Sequence, residues 1–243
     1  MEQQPKKKLG ISKETQAKAG IPIPAPKKLD KASQVFPNAW EFPVAQLVKV
    51  HFDPAKDVTR NQETTQVPAI IFVFTTANGK QFTHVEFPID EEDEDKFNTK
   101  FENLSQRLKH IFCETVGEDR FKEGVMEGDD FTEFFSNVAK AFNAEVYTKG
   151  EGEAAKTLPI YTRNHVYIKL GYYKDRLQIP MYPNFVQKAY NGTNAIACEL
   201  MINPTYDKVE PQARASANAA TQYGGGTNNS FGAVGDMAFP DIP

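Results

Sequence analysis

The sequence predicts an α+β protein: an antiparallel β-barrel core with a two-helix insertion between the third and fourth strands, flanked by disordered termini. Three observations predict it. Runs of β-branched and aromatic residues, alternating or continuously apolar, recur between turn signals. Two mid-chain stretches repeat apolar residues at spacings of three and four. Both ends lose any apolar period and fill with Lys, Pro and Ala at one end and with Gly, Asn and Ala at the other.

Residues 1–36 read as a flexible basic arm, because the Pro-rich run "GIPIPAPKKLDK" cannot form helix or sheet interior. The core is expected over 37–211. "VAQLVKVHF" (Val44–Phe52) alternates as a first strand, and Asp53–Gln66 reads as a polar loop. "VPAIIFVFTT" (Val67–Thr76) is apolar on both faces, as a buried central strand would be. Asn78-Gly79 marks a hairpin turn, since both central positions of that turn prefer positive φ. Lys80–Ile89 returns, with Val85, Phe87 and Ile89 on one face and Phe82, His84 and Glu86 on the other.

The acidic run Asp90–Asp95 then opens a helix, where the helix dipole favours carboxylates. Phe97, Phe101, Leu104, Leu108, Ile111 and Phe112 form its stripe, and Gly117 ends it. A second helix starts at Asp129 or Asp130, with Phe131, Phe134, Phe135, Val138 and Phe142 as its apolar face. Strands return at His165–Tyr173, Arg176–Pro180 and Ile196–Ile202. An OB-fold barrel places its helix between its third and fourth strands, so this order permits an OB-fold-like core; other α+β meanders share the order. Residues 212–243 read as a disordered linker and tail.

Net charge is -4, which argues against a uniformly basic coat for duplex DNA. Charge is uneven, however. Residues 1–31 hold eight lysines against Glu2, Glu14 and Asp30, and residues 156–190 hold six cations against Asp175. Screening confines each charge to about 8–10 Å, so a local basic strip can attract a polyanion on an acidic molecule. Two cysteines far apart suggest neither a disulfide framework nor a zinc site and fit a reducing, cytoplasmic location (a host's cytoplasm if the chain is viral). No run approaches the roughly 18 apolar residues of a membrane span.

The chemistry-bearing candidate is the strand after the helices. Strict alternation puts Arg163, His165, Tyr167, Lys169 and Tyr173 on one face and Val166, Ile168, Leu170 and Tyr172 on the other. Rings stack unpaired bases and cations follow phosphates, which is what single-stranded nucleic acid requires. Arg176, Tyr182, Phe185 and Lys188 would extend the groove.

The tail points the same way. A Gly/Asn-rich linker ending in "DMAFPDIP" resembles the C-termini of bacterial and phage single-stranded DNA-binding proteins, which end in acidic residues and a short apolar tip. Asp236, Phe239, Asp241, Ile242 and Pro243 match that pattern in kind, although no Phe follows Pro243 and the acids are only two. "VYIKLGYYKDRLQIPMYPNF" (Val166–Phe185) carries a weaker similarity to phage proteins of this class. The resemblance implies binding and protection of single-stranded DNA with little sequence specificity, in replication, recombination or repair. It implies recruitment of replication or recombination proteins through the tail, possible homo-oligomers and no membrane partner. The alternative is a virion or scaffold protein that oligomerises without nucleic acid.

Enzyme signals are weak. Gly128-Asp129-Asp130 reads as a helix N-cap, and Glu91–Asp95 lacks calcium-loop spacing. His51, His84, His110 and His165 have no ligand partners at metal spacing, and Gly224–Gly226 precedes no helix or lysine. The expectation is a protein with no catalytic residues, metal or cofactor.

Overall fold

A computed structural model describes residues 8–15, 42–60, 62–173, 176–180 and 185–200. A short strand β1 (Leu9–Gly10) is followed by the long strands β2 (Val44–Arg60) and β3 (Glu63–Thr76), then by β4 (Gln81–Glu86). Helix α1 (Glu94–Thr115), strand β5 (Glu127–Gly128) and helix α2 (Phe131–Ala144) come next. The hairpin β6 (Val146–Lys149) and β7 (Lys156–Pro159) leads through a 3-10 turn, Ile160–Arg163, to β8 (His165–Ile168). Five short strands close the described chain: β9 (Gly171–Tyr173), β10 (Arg176–Gln178), β11 (Val186–Lys188), β12 (Tyr190–Asn191) and β13 (Asn194–Ala195).

The main sheet is antiparallel, in the order β11-β8-β2-β3-β4. Both helices fall between its third and fourth strands in sequence, as the hydrophobic pattern predicts. The predicted OB-fold-like barrel does not close among the described residues. β4 and β11 are the two ends of an open sheet. The reason lies in the helices. A small barrel fills its interior from its own strands, whereas here α1 and α2 bring Leu108, Phe112, Phe134 and Phe142 onto one face of the sheet. There Phe142 meets Phe72 and Phe112 edge-on, at ring separations of 5.3 and 5.1 Å. The large apolar side chains are thus satisfied without closure.

Caps define both helices. Asp93 accepts from the Lys96 N–H at 2.9 Å, and Asp130 from the Glu133 N–H at 2.8 Å, while the Glu133 carboxylate reaches back to the Asp129 N–H. Gly117, with φ of 128°, turns the chain out of α1. At Gly128 a side chain is excluded by space, because a Cβ would collide with the Phe134 backbone nitrogen.

Three further sequence expectations need correction. Asp53–Gln66 is not a loop but the distal half of the β2–β3 hairpin, turning at Gln62 with φ of 69°. Beyond Phe52 this ribbon leaves the sheet and is largely exposed, so no polarity alternation marks it as strand. Of the strand expected over Ile196–Ile202, residues 196–200 form none, being held by one backbone bond from Ile196 to Ala189 and by side chains, and residues 201–202 lie outside the described residues. In the arm expected to be flexible, Leu9 and Ile11 are buried in the core.

The inward face of β4 carries Phe82, His84 and Glu86, not Val85. Glu86, 2% exposed, accepts from Arg107 Nε and Nη2 at 2.7 and 2.8 Å and lies 2.8 Å from His84 Nε2. Burial alone would raise its pKa. The Arg107 charge, then that of His84, outweighs this and holds the carboxyl down to about 2. No helix among the described residues is long and apolar enough to cross a membrane.

Candidate nucleic-acid interface

With helices on one face, the candidate stripe belongs to the opposite face of the sheet. Register identifies its residues. His165 and Tyr167 of β8 stand opposite Gln46 and Val44 of β2, and Tyr167 also opposite Gln187 of β11. Further along β2, Lys49, His51 and Asp53 pair with Val73, Ile71 and Ala69 of β3. Ala69, Ile71 and Val85, with Val73 and Phe87 against them, make a small apolar cluster separate from the main core. The face therefore carries rings, Lys49 and Asp53 around an apolar centre in which Ala69, Ile71 and Val85 are buried.

Lys49 and His165 are exposed, while Tyr167 and His51 are half-buried. Tyr190 of β12, also exposed, sets its ring edge-on to His165 with centroids 5.7 Å apart. Burial, reinforced by Lys49, lowers the pKa of His51, so that ring is neutral at pH 7. Its Nδ1 is buried without a hydrogen-bond partner among the described residues. Lys49, His51 and Tyr190 escaped the sequence reading. The β-bulge between Leu47 and Lys49 shifts the alternation of β2, and Tyr190 lies beyond the strand that drew attention.

Only part of the predicted stripe assembles. His165 and Tyr167 share the open face. Arg163 is exposed but belongs to the 3-10 turn, where its guanidinium sits 5.6 Å from the centroid of the Tyr147 ring. The strand ends at Ile168, so alternation fails at Lys169, which is 2% exposed and donates its backbone N–H to the Phe185 carbonyl. Phe185 is buried in the core, its ring 4.5 Å from His84 and 6.5 Å from Phe74, and cannot offer a stacking surface. Lys188 pairs in register with the buried Val166, on the helix side of the sheet, and its N–H donates to Glu114 of α1. Tyr173 and Arg176 are backbone register partners in the separate β9–β10 hairpin. Tyr182 and the tail residues Asp236, Phe239, Asp241, Ile242 and Pro243 lie outside the described residues.

The chain itself crosses one end of this face. Tyr167 Oη donates to the Ile196 carbonyl at 3.0 Å. The Gln187 amide donates to the Ala197 carbonyl and accepts from the Glu199 N–H, at 2.8 and 2.6 Å. Access to Tyr167 is therefore along its ring and not through its hydroxyl.

Comparison with protein-family models, curated proteins and solved structures gives no match. Among the described residues no group of three or more His, Cys, Asp or Glu side chains converges in a way that could hold a metal ion.

Proposed function

We propose that this chain binds single-stranded nucleic acid, DNA in the first instance, with little sequence preference, along the open face of its main sheet. The observation that carries the reading is the asymmetry of that sheet. One face is sealed by Phe-rich helices, and the other carries exposed His165, Tyr190 and Lys49 and half-buried Tyr167 around a cluster in which Ala69, Ile71 and Val85 are buried. Unpaired bases stack on exposed rings for about 1–3 kcal/mol each, and a nearby lysine neutralises phosphate. A duplex hides its base faces and gains only the second term.

In this reading the interface uses His165 and Tyr167 from the predicted stripe and replaces Lys169, Phe185 and Lys188 with Lys49, His51 and Tyr190. The tail, through Asp236, Phe239, Asp241, Ile242 and Pro243, recruits partner proteins of replication, recombination or repair. Fluorescence anisotropy with a labelled oligo-dT tests the interface. Tyr167→Ala weakens binding by about fivefold or more, the equivalent of about 1 kcal/mol. Unchanged affinity in Tyr167→Ala, Tyr190→Ala and Lys49→Ala together removes this face as the site.

A scaffolding role is the second reading, and the β2–β3 ribbon beyond Phe52 favours it. A two-stranded ribbon is marginal alone, and unpaired edges invite pairing with another chain. Anisotropy with labelled oligo-dT separates the two, since a scaffold assembles through its own chains and shows no affinity for a polynucleotide.

A further inference from the structure

The N-terminal segment Lys8–Thr15 is held as a docked ligand would be. β1 adds to β5 in antiparallel register, Leu9 opposite Gly128 and Gly10 opposite Glu127. Ile11, 1% exposed, donates its N–H to the Met126 carbonyl and sinks its side chain into the main core. Lys109 of α1 then clamps the segment from below. Its ammonium donates to the carbonyls of Ser12, Lys13 and Thr15 at 3.0, 2.7 and 2.7 Å and lies 4.7 Å from the Phe121 ring centroid. Lys8 closes the far end on Glu127 at 2.7 Å.

Two features make this slot more than a packing detail. The first is Lys109, which is 5% exposed. With the slot empty, the ammonium would exchange three carbonyl acceptors for water, and Leu9 and Ile11 would leave the core, so the fold favours an arm in place. The second is the tether. Residues 16–41 separate the arm from the sheet, and 26 residues reach at most about 90 Å when extended. A domain of this size has a radius of gyration of only about 16 Å. The slot of a neighbouring molecule is therefore within reach of every arm.

We propose that the slot formed by β5, Met126 and Lys109 also accepts the arm of a second copy of this chain, giving arm-exchanged oligomers. The contacts are identical in both arrangements, so only effective concentration decides between them. The arm's own slot fills in dilute solution. Exchange grows as copies crowd together, as they do when aligned on a common strand or at high protein concentration. Exchange needs no nucleic acid, so the inference stands apart from the proposed binding function.

The test uses full-length chains in which Cys113 and Cys198 are replaced. A Cβ at position 10 lies 3.7 Å from the Glu127 Cβ, within disulfide range. One chain carries Gly10→Cys and the other Glu127→Cys; the two are mixed over a concentration series and oxidised. A disulfide-linked heterodimer forms in a yield that rises with concentration, and is lost when the first chain also carries Ile11→Asp. A chain with both cysteines closes on itself and reports that the arm docks. If that chain closes while the mixture yields no more dimer than the Ile11→Asp control, exchange is refuted. If neither links, the slot itself is refuted.

Discussion

Replacing Arg107 with methionine removes the cation from a carboxylate that has no water to fall back on. Glu86 is 2% exposed, and both its oxygens are taken by the Arg107 guanidinium, with His84 against Oε1. Stripping one partner from a buried pair typically costs about 3–5 kcal/mol, because the remaining charge stays desolvated. The Arg107 side chain is 15% exposed, so solvent screens part of the interaction and the lower end applies. The depressed pKa of Glu86 expresses the same interaction. A carboxyl held at about 2 against an ordinary 4.5 stabilises the fold by about 3 kcal/mol at neutral pH. The folded pKa is the depressed one. The contribution is therefore complete above pH 4.5 and disappears as pH falls towards about 2. Urea denaturation between pH 7 and pH 2.5 reads both effects. Arg107→Met unfolds at lower urea at pH 7 and loses much of the parent's acid sensitivity in that window. Glu86→Gln together with Arg107→Met recovers part of the loss, since no charge is then buried. A single variant within about 1 kcal/mol of the parent, with an unchanged acid transition, would refute the reasoning.

Other consequences follow from local geometry. Gly128→Ala forces a Cβ against the Phe134 backbone and costs about 1–3 kcal/mol by thermal unfolding; an unaltered Tm would mean that β5 moves aside freely. Tyr161→Phe deletes a buried hydroxyl that accepts from the Val50 N–H and donates to Asn143 Oδ1, so stability falls by about 1–3 kcal/mol in urea titrations. Asp130→Ala removes the α2 cap and lowers stability by about 1 kcal/mol, read the same way.

Local rules carried the sequence reading furthest where one force dominated. The two helices, the Asp130 cap and the place of the Thr76–Lys80 turn were legible because stripe and cap each leave a mark within a few residues, but the turn has positive φ at Gly79 and not at Asn78, so it is not the two-residue turn expected. The inward turn of Glu86 was not legible, because its partner Arg107 is twenty-one positions away and only the fold joins them. The β2–β3 ribbon was missed because strands exposed on both faces show no alternation. The binding stripe failed for a related reason. Alternation was extended through Lys169, but β8 stops at Ile168 and the next residues turn inward. Openness or closure of the sheet depends on where helix volume goes, which no single strand records.

The proposed function is tested most directly by titrating the unaltered protein with labelled oligo-dT and with a duplex of equal length across a salt series. The account predicts tighter binding to the single strand and a log–log salt slope that becomes shallower by about 0.7 when Lys49 is replaced by alanine. Equal affinity for both nucleic acids, or a slope indifferent to Lys49, would contradict it.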